Sequence, residues 1–181
     1  VFDFEPEADM RKSSAILGSF LFLVIAPGTV AGLIPWAFSA YRLGPASPEI
    51  WAVRALGILL ISAGLLFLLD SFGQFALRGI GTPAPIAPTR HLVVGGYYRY
   101  VRNPMYVSVL ALILGQALLF GNLALFAYAV IVWAAFYAFV LGYEEPALRT
   151  AFDEEYLSYC AHVPRWIPRL RPWKPEVDHH K

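Results

Sequence analysis

The chain of 181 residues is 58% hydrophobic, well above the roughly 45–50% of an ordinary soluble domain, and its mean hydropathy is +0.55. A net charge of +1 with no basic stripe carries no sign of a nucleic-acid partner. The single Cys160 excludes an intramolecular disulfide and fits a reducing compartment.

In chain order, 1–13 reads as an exposed tail with an acidic start, FDFEPEAD. Ser13 to Tyr41 is a run of 29 residues without charge, enough to cross a hydrocarbon core that needs about 20 helical residues. The run is too long for a signal-peptide core and holds Pro27, Gly28 and Pro35. It predicts a retained first span, Ser14 to Ala40, either continuous or broken. The LGPASPE turn leads to a second span, Ile50 to Leu77, with Arg54 near its start and Asp70 near its end. Together 14–77 form the first two membrane spans.

The segment RGIGTPAPIAPTRHLVVGGYYRYVR is too rich in Gly and Pro for a helix. Asn103-Pro104 then opens a third span, since Asn suits the N-cap and Pro the first helical position. Asn103 to Tyr143 is a run of 41 uncharged residues, long enough for two spans, and Gly121-Asn122 divides it. The fourth span is expected from Leu123 to Gly142. Beyond it, Leu148, Phe152, Tyr156 and Tyr159 fall on one face at helical spacing, which predicts an amphipathic helix lying on the membrane or on the spans. The fold class is therefore an all-α integral membrane protein of about four transmembrane helices. Lys and Arg gather in the first tail, the 78–102 loop and the C-terminal part, so the positive-inside rule puts both termini and the long loop in the cytoplasm.

A short turn makes spans three and four an antiparallel hairpin. At about 1.5 Å per residue, Arg102-Asn103-Pro104 should then lie level with Glu144 and Glu145. The helix N-terminus suits a carboxylate or phosphate, and the glutamates suit an amine or another cation. Tyr97, Tyr98, Tyr100 and Tyr106 could stack on a planar base. The plainer alternative is an interfacial belt in which Glu144 or Glu145 pairs with Arg102 or Arg149. Asp70 is an ionisable group in or near a span, a functional candidate or a snorkelling helix end. His91 and His162 have no ligand-spaced partners, so no metal site is expected.

The blocks LVVGGYYRYVRNPMY, Glu144-Glu145 and FDEEYLSYCAHVPRWIP, in this order, resemble the integral-membrane methyltransferases that include isoprenylcysteine carboxyl methyltransferase and the phospholipid N-methyltransferases. The resemblance spans about 81–168 and marks 78–168 as the cofactor-binding region, with 169–181 a C-terminal tail. The loop GTPAPIAP resembles that of bacterial members, which implies a bacterial inner membrane. The resemblance implies S-adenosylmethionine as cofactor, held at a site formed by the cytoplasmic loop and the C-terminal helix. Its contacts would be Arg90, His91, Leu92, Val93, Tyr98, Arg102, Asn103, Pro104, Met105, Glu144 and Glu145. The acceptor would be a membrane lipid or lipid-like carboxylate, amine or thiol. If it is an amine, Glu144 or Asp70 is the candidate base. Two positions depart from the isoprenylcysteine enzymes: Asn103 replaces a histidine, and Val140 replaces an arginine implicated in substrate binding. The alternatives are an NADPH-dependent membrane reductase of the sterol reductase type and a non-catalytic membrane binding protein.

Overall fold

The computed structural model describes residues 17–18, 20–44, 48–74 and 92–174. Among these, three helices are long and apolar enough to cross a membrane, namely Phe20–Ser39, Ile50–Gln74 and Leu123–His162, with a shorter apolar helix at Pro104–Phe120. The protein is thus all-α and multi-pass.

Helix α1, Phe20–Ser39, is continuous but widened by a π-turn at Thr29–Leu33. The cause is Pro35, which has no N–H to give back to the preceding turn. The N–H of Ile34 is drawn to Thr29 O, so Val30 O and Ala31 O both lose their usual helical donors. In an apolar medium such carbonyls need other partners. Tyr128 Oη donates to Val30 O at 2.9 Å, and Gln116 Nε2 donates to Ala31 O at 2.7 Å. Two other spans therefore brace the irregular point of the first.

Helix α2 is Pro48–Gln74 and helix α3 is Pro104–Phe120. They meet at glycines: a Cβ placed on Gly57 would lie 2.7 Å from Gly115 O, and one on Gly64 would lie 3.0 Å from Ser108 O. Small residues let the two backbones approach, which in lipid is what holds helices together. The turn expected at Gly121-Asn122 is present: Gly121 is left-handed at φ 63°, and Asn122 accepts a cap bond from the Ala124 N–H at 2.9 Å.

Helix α4, Leu123–Phe139, does not end at Gly142 as expected. A second π-turn, Val140–Glu144, carries it without a break into α5, Glu145–His162, which is itself kinked at Asp153. Glycine is costly but tolerated within a helix, and here the π-turn admits the extra residue that realigns the next helix. Two apolar cores result. The first joins Ala31, Leu68, Phe72, Val109, Ile113, Ala129 and Val132 from all four spans. The second packs Tyr156, Tyr159 and Val163 against Leu92, Val94, Leu148, Phe152 and Trp173. The expected amphipathic face of α5 is therefore turned onto this second core. Outward residues such as Leu59, Leu66, Val130 and Ile131 are exposed, as lipid-facing side chains are.

After α5 the chain returns beside the GGYYRYVRNP segment. Arg102 N–H donates to Pro164 O, Arg169 N–H to Tyr100 O and Trp173 N–H to Arg99 O, each at 2.9 Å. Arg99 Nε adds a bond to Trp173 O at 2.7 Å. This lacing delivers Arg165 and Trp166 to the mouth of the α3–α4 hairpin.

Candidate functional site

The hairpin brings Arg102, at the start of α3, to Glu145, at the start of α5, with Nη1 3.1 Å from Oε1. Arg165 closes the other side, with Nε 2.6 Å from Oε1 and Nη2 2.9 Å from Oε2. Glu145 is buried, and burial alone would push its carboxyl up. The Arg165 hydrogen bonds and the charges of Arg102 and Arg165 outweigh that and hold it below its ordinary value of 4.5. Arg149 acts on it only as a more distant charge.

Glu144 takes a different partner, accepting from Tyr106 Oη at 2.7 Å. Tyr106 in turn lies against Phe136, with ring centroids 4.6 Å apart, and against Trp166 at 6.5 Å. Tyr137 stacks on Trp166 at 6.2 Å. One glutamate is thus held by guanidinium groups and its neighbour by a phenol among aromatic rings. Among the described residues, Arg102 Nε and Trp166 Nε1 are buried donors with no acceptor. Arg102 Nη1 also lies 2.8 Å from Cys160 Sγ.

Tyr98 is buried in the short 3₁₀ turn Gly96–Arg99, and its carbonyl accepts from Tyr159 Oη at 2.7 Å. Burial first, then the negative charge of Glu144, pushes its phenol well above the ordinary value of 10, so it keeps its proton. Asn103 occupies the N-cap position but makes no cap bond with its side chain. Its Nδ2 instead donates to Arg165 O at 3.1 Å, so its role as side-chain cap is corrected to a tether for the returning strand. Pro104 is fully enclosed and starts the helix, while Met105 packs on the membrane core. Leu92 joins the second core, and Val93 is half-buried beside it in the chain. Arg90 and His91 lie outside the described residues. Asp70 accepts from Tyr97 N–H rather than meeting the glutamates.

Three residues of this cluster escaped the sequence reading: Arg165, Trp166 and Cys160. Their one signal was the CAHVPRWIP stretch, which carries no spacing rule that would aim it at Glu145.

Residues 52–155, more than half of the chain, match the model of the family described as phospholipid methyltransferase. The chain belongs to this phospholipid methyltransferase family. The matched region runs from α2 to the middle of α5 and includes Tyr98, Arg102, Glu144 and Glu145. Protein-S-isoprenylcysteine O-methyltransferase B of Arabidopsis thaliana is 36% identical over 78 residues, which are 42% of this chain and 39% of that protein. Protein-S-isoprenylcysteine O-methyltransferase of Mus musculus is 29% identical over 176 residues, 92% of this chain and 60% of that protein. Cobalt-zinc-cadmium resistance protein CzcN of Cupriavidus metallidurans is 34% identical over 85 residues, 47% of this chain and 39% of that protein. The chain thus spans about two-fifths of the plant and bacterial relatives' length and 60% of the mouse relative's.

Proposed function

We propose that this phospholipid methyltransferase family member is an S-adenosylmethionine-dependent methyltransferase whose acceptor is a lipid-like molecule held in the bilayer. The observation that carries the reading is the meeting of Arg102 with Glu145, and of Tyr106 with Glu144, at one mouth of the α3–α4 hairpin inside the family-matched region. The residues there fit such a cofactor. Arg102 Nε and Trp166 Nε1 are buried donors suited to its carboxylate and heteroatoms, and the glutamates suit its ammonium and sulfonium. Tyr106, Tyr137 and Trp166 offer ring faces to an adenine or a cationic centre.

When bound, the cofactor supplies an electrophilic methyl group. The chain's own contribution is binding, orientation and exclusion of water, effects that together are worth roughly 7–11 kcal/mol of a bimolecular barrier. By the resemblance the cofactor contacts are Arg102, Asn103, Glu145, Leu92, Val93 and Tyr98, together with Arg90 and His91, which lie outside the described residues and are assigned from the sequence alone. Pro104 and Met105 fix the start of α3 behind them. Glu144 is the proton acceptor if the acceptor is an amine, because its carboxylate is engaged by one phenol and, among the described residues, by no cation in an ion pair. A carboxylate or thiolate acceptor needs no base. Val140, where the resemblance led to an expected arginine, is buried and apolar, which disfavours an anionic prenylcysteine head at that point. The distribution of Lys and Arg supports a cytoplasmic site, and the resemblance of the GTPAPIAP loop to bacterial members supports a bacterial inner membrane.

The test is titration of labelled S-adenosylmethionine into detergent-extracted protein. Glu145→Ala and Tyr98→Ala should each weaken binding about tenfold or more while the protein stays folded. Unchanged affinity in both would sink the site assignment. Transfer of labelled methyl into a lipid extract, with no oxidation of NADPH, separates this chemistry from a reductase.

A further inference from the structure

We infer that Asp70 is a positioning residue that holds the Gly96–Arg99 turn, and through it Tyr98, from the end of the second span. The 3₁₀ turn has no side-chain cap of its own: Gly95 stands at its N-cap with no side chain, and its carbonyl takes only the Tyr98 N–H, at 3.1 Å. Asp70 Oδ2 supplies the missing acceptor from another helix, taking the Tyr97 N–H at 3.2 Å. Its Oδ1 accepts from Gln74 Nε2, also at 3.2 Å, so a residue one turn further along α2 holds the carboxylate in place.

The turn is shaped to receive this carboxylate. Gly96 is left-handed at φ 53°, and a Cβ there would run into Asp70 Oδ2 and the Gln74 amide. Only glycine brings the backbone this close. Tyr97 then lays its ring on Phe67 of α2, with centroids 4.0 Å apart, while Tyr98 turns into the protein and its carbonyl is gripped by Tyr159. The turn is clamped on one side by a membrane span and on the other by α5.

Asp70 thereby differs from Glu144 in kind. A general base must reach the proton it removes, and both oxygens of Asp70 are already taken by donors of the protein. A carboxylate at the end of a span is costly, and the capped turn accounts for its presence there. The proposal rests on the methyltransferase reading only for its binding readout, not for the structural one.

The experiment uses full-length protein in detergent with two readouts, hydrogen exchange in peptides covering 95–100 and affinity for S-adenosylmethionine. D70N keeps a carbonyl acceptor for the Tyr97 N–H and should leave exchange and affinity within about twofold of the parent, with the pH profile of methyl transfer unmoved. D70A should speed exchange at the turn and weaken binding, each roughly tenfold, and should add little in a Y98A background because both act through one element. G96A should reproduce D70A, and it carries the test if D70A does not survive extraction. D70N that binds the cofactor normally but cannot transfer methyl would overturn the proposal in favour of a base. Unaltered exchange in both D70A and G96A would overturn it as well. Parent protein that binds no S-adenosylmethionine would remove the methyltransferase reading, and the exchange data would still decide the role of Asp70.

Discussion

Arg165 meets Glu145 at two points, Nε to Oε1 at 2.6 Å and Nη2 to Oε2 at 2.9 Å, across 20 residues of chain. This fork ties the returning C-terminal strand to the joint between the membrane helix and α5. Arg165→Ala would leave the buried carboxylate with Arg102 alone. Thermal unfolding in detergent should show a loss of about 1.5–3 kcal/mol, the usual worth of a hydrogen bond to a charged group. Arg165→Lys restores the charge but not the fork and should recover less than half of it. A Lys variant as stable as the parent would mean that charge alone matters here.

The same carboxyl sets a pH dependence. Its value in the folded protein lies below the ordinary 4.5, so the ion pairs contribute fully above about that pH and are lost as pH falls through the lower folded value. Melting temperatures of the parent and Glu145→Gln should differ most near neutrality and converge as pH drops below 4.5. A gap that persists unchanged into strong acid would show that the two variants differ for another reason.

Gln116 and Tyr128 hold the two carbonyls freed by the π-turn in α1. Gln116→Leu and Tyr128→Phe should each destabilise by about 1 kcal/mol, because hydrogen bonds between membrane helices are individually modest. Their sum should depart from additivity, since the two carbonyls belong to consecutive residues of one π-turn. Affinity for S-adenosylmethionine at the proposed site should not change, because this brace is far along α3 from Arg102.

At Gly57 and Gly115 the backbones of α2 and α3 nearly touch, and a Cβ on either would come within 2.7 Å of the other's carbonyl oxygen. Gly115→Ala should cost about 1–3 kcal/mol, and Gly115→Val should abolish recovery of folded protein from the membrane. Normal yield and melting of the Val variant would show that the helices separate easily.

Much of the site was legible because one rule acts on a hairpin. A fixed rise per residue and a turn at Gly121 force Arg102 level with Glu145, whatever the side chains between them do. The charge-free runs marked the spans because lipid leaves little choice. Three other features obey no such rule. Gly142 looked like a helix end, yet the continuous backbone absorbs it in a π-turn. Asn103 has the type and place of a cap, but the strand passing beside it offers Arg165 O, and its amide donates there. Arg102 and Arg149 were the partners expected for the glutamates, and Arg102 does meet Glu145, but Arg165 arrives through a coil whose path depends on backbone bonds to residues 99–102.

The length of α3 has a further consequence. Its 17 residues rise about 26 Å, a few ångströms less than the roughly 30 Å depth of a typical hydrocarbon layer. With Gly121 at one interface, the bilayer must either pinch around this helix or leave its Asn103 end sunk below the headgroups, at a cost of a fraction of a kcal/mol per ångström. Hydrophobic mismatch of this sign lowers the polar mouth toward the acyl chains. On the proposed methyltransferase reading, an acceptor anchored by its tail would then need little vertical travel to present its head there, and the thickness of the host membrane would become a variable of the reaction.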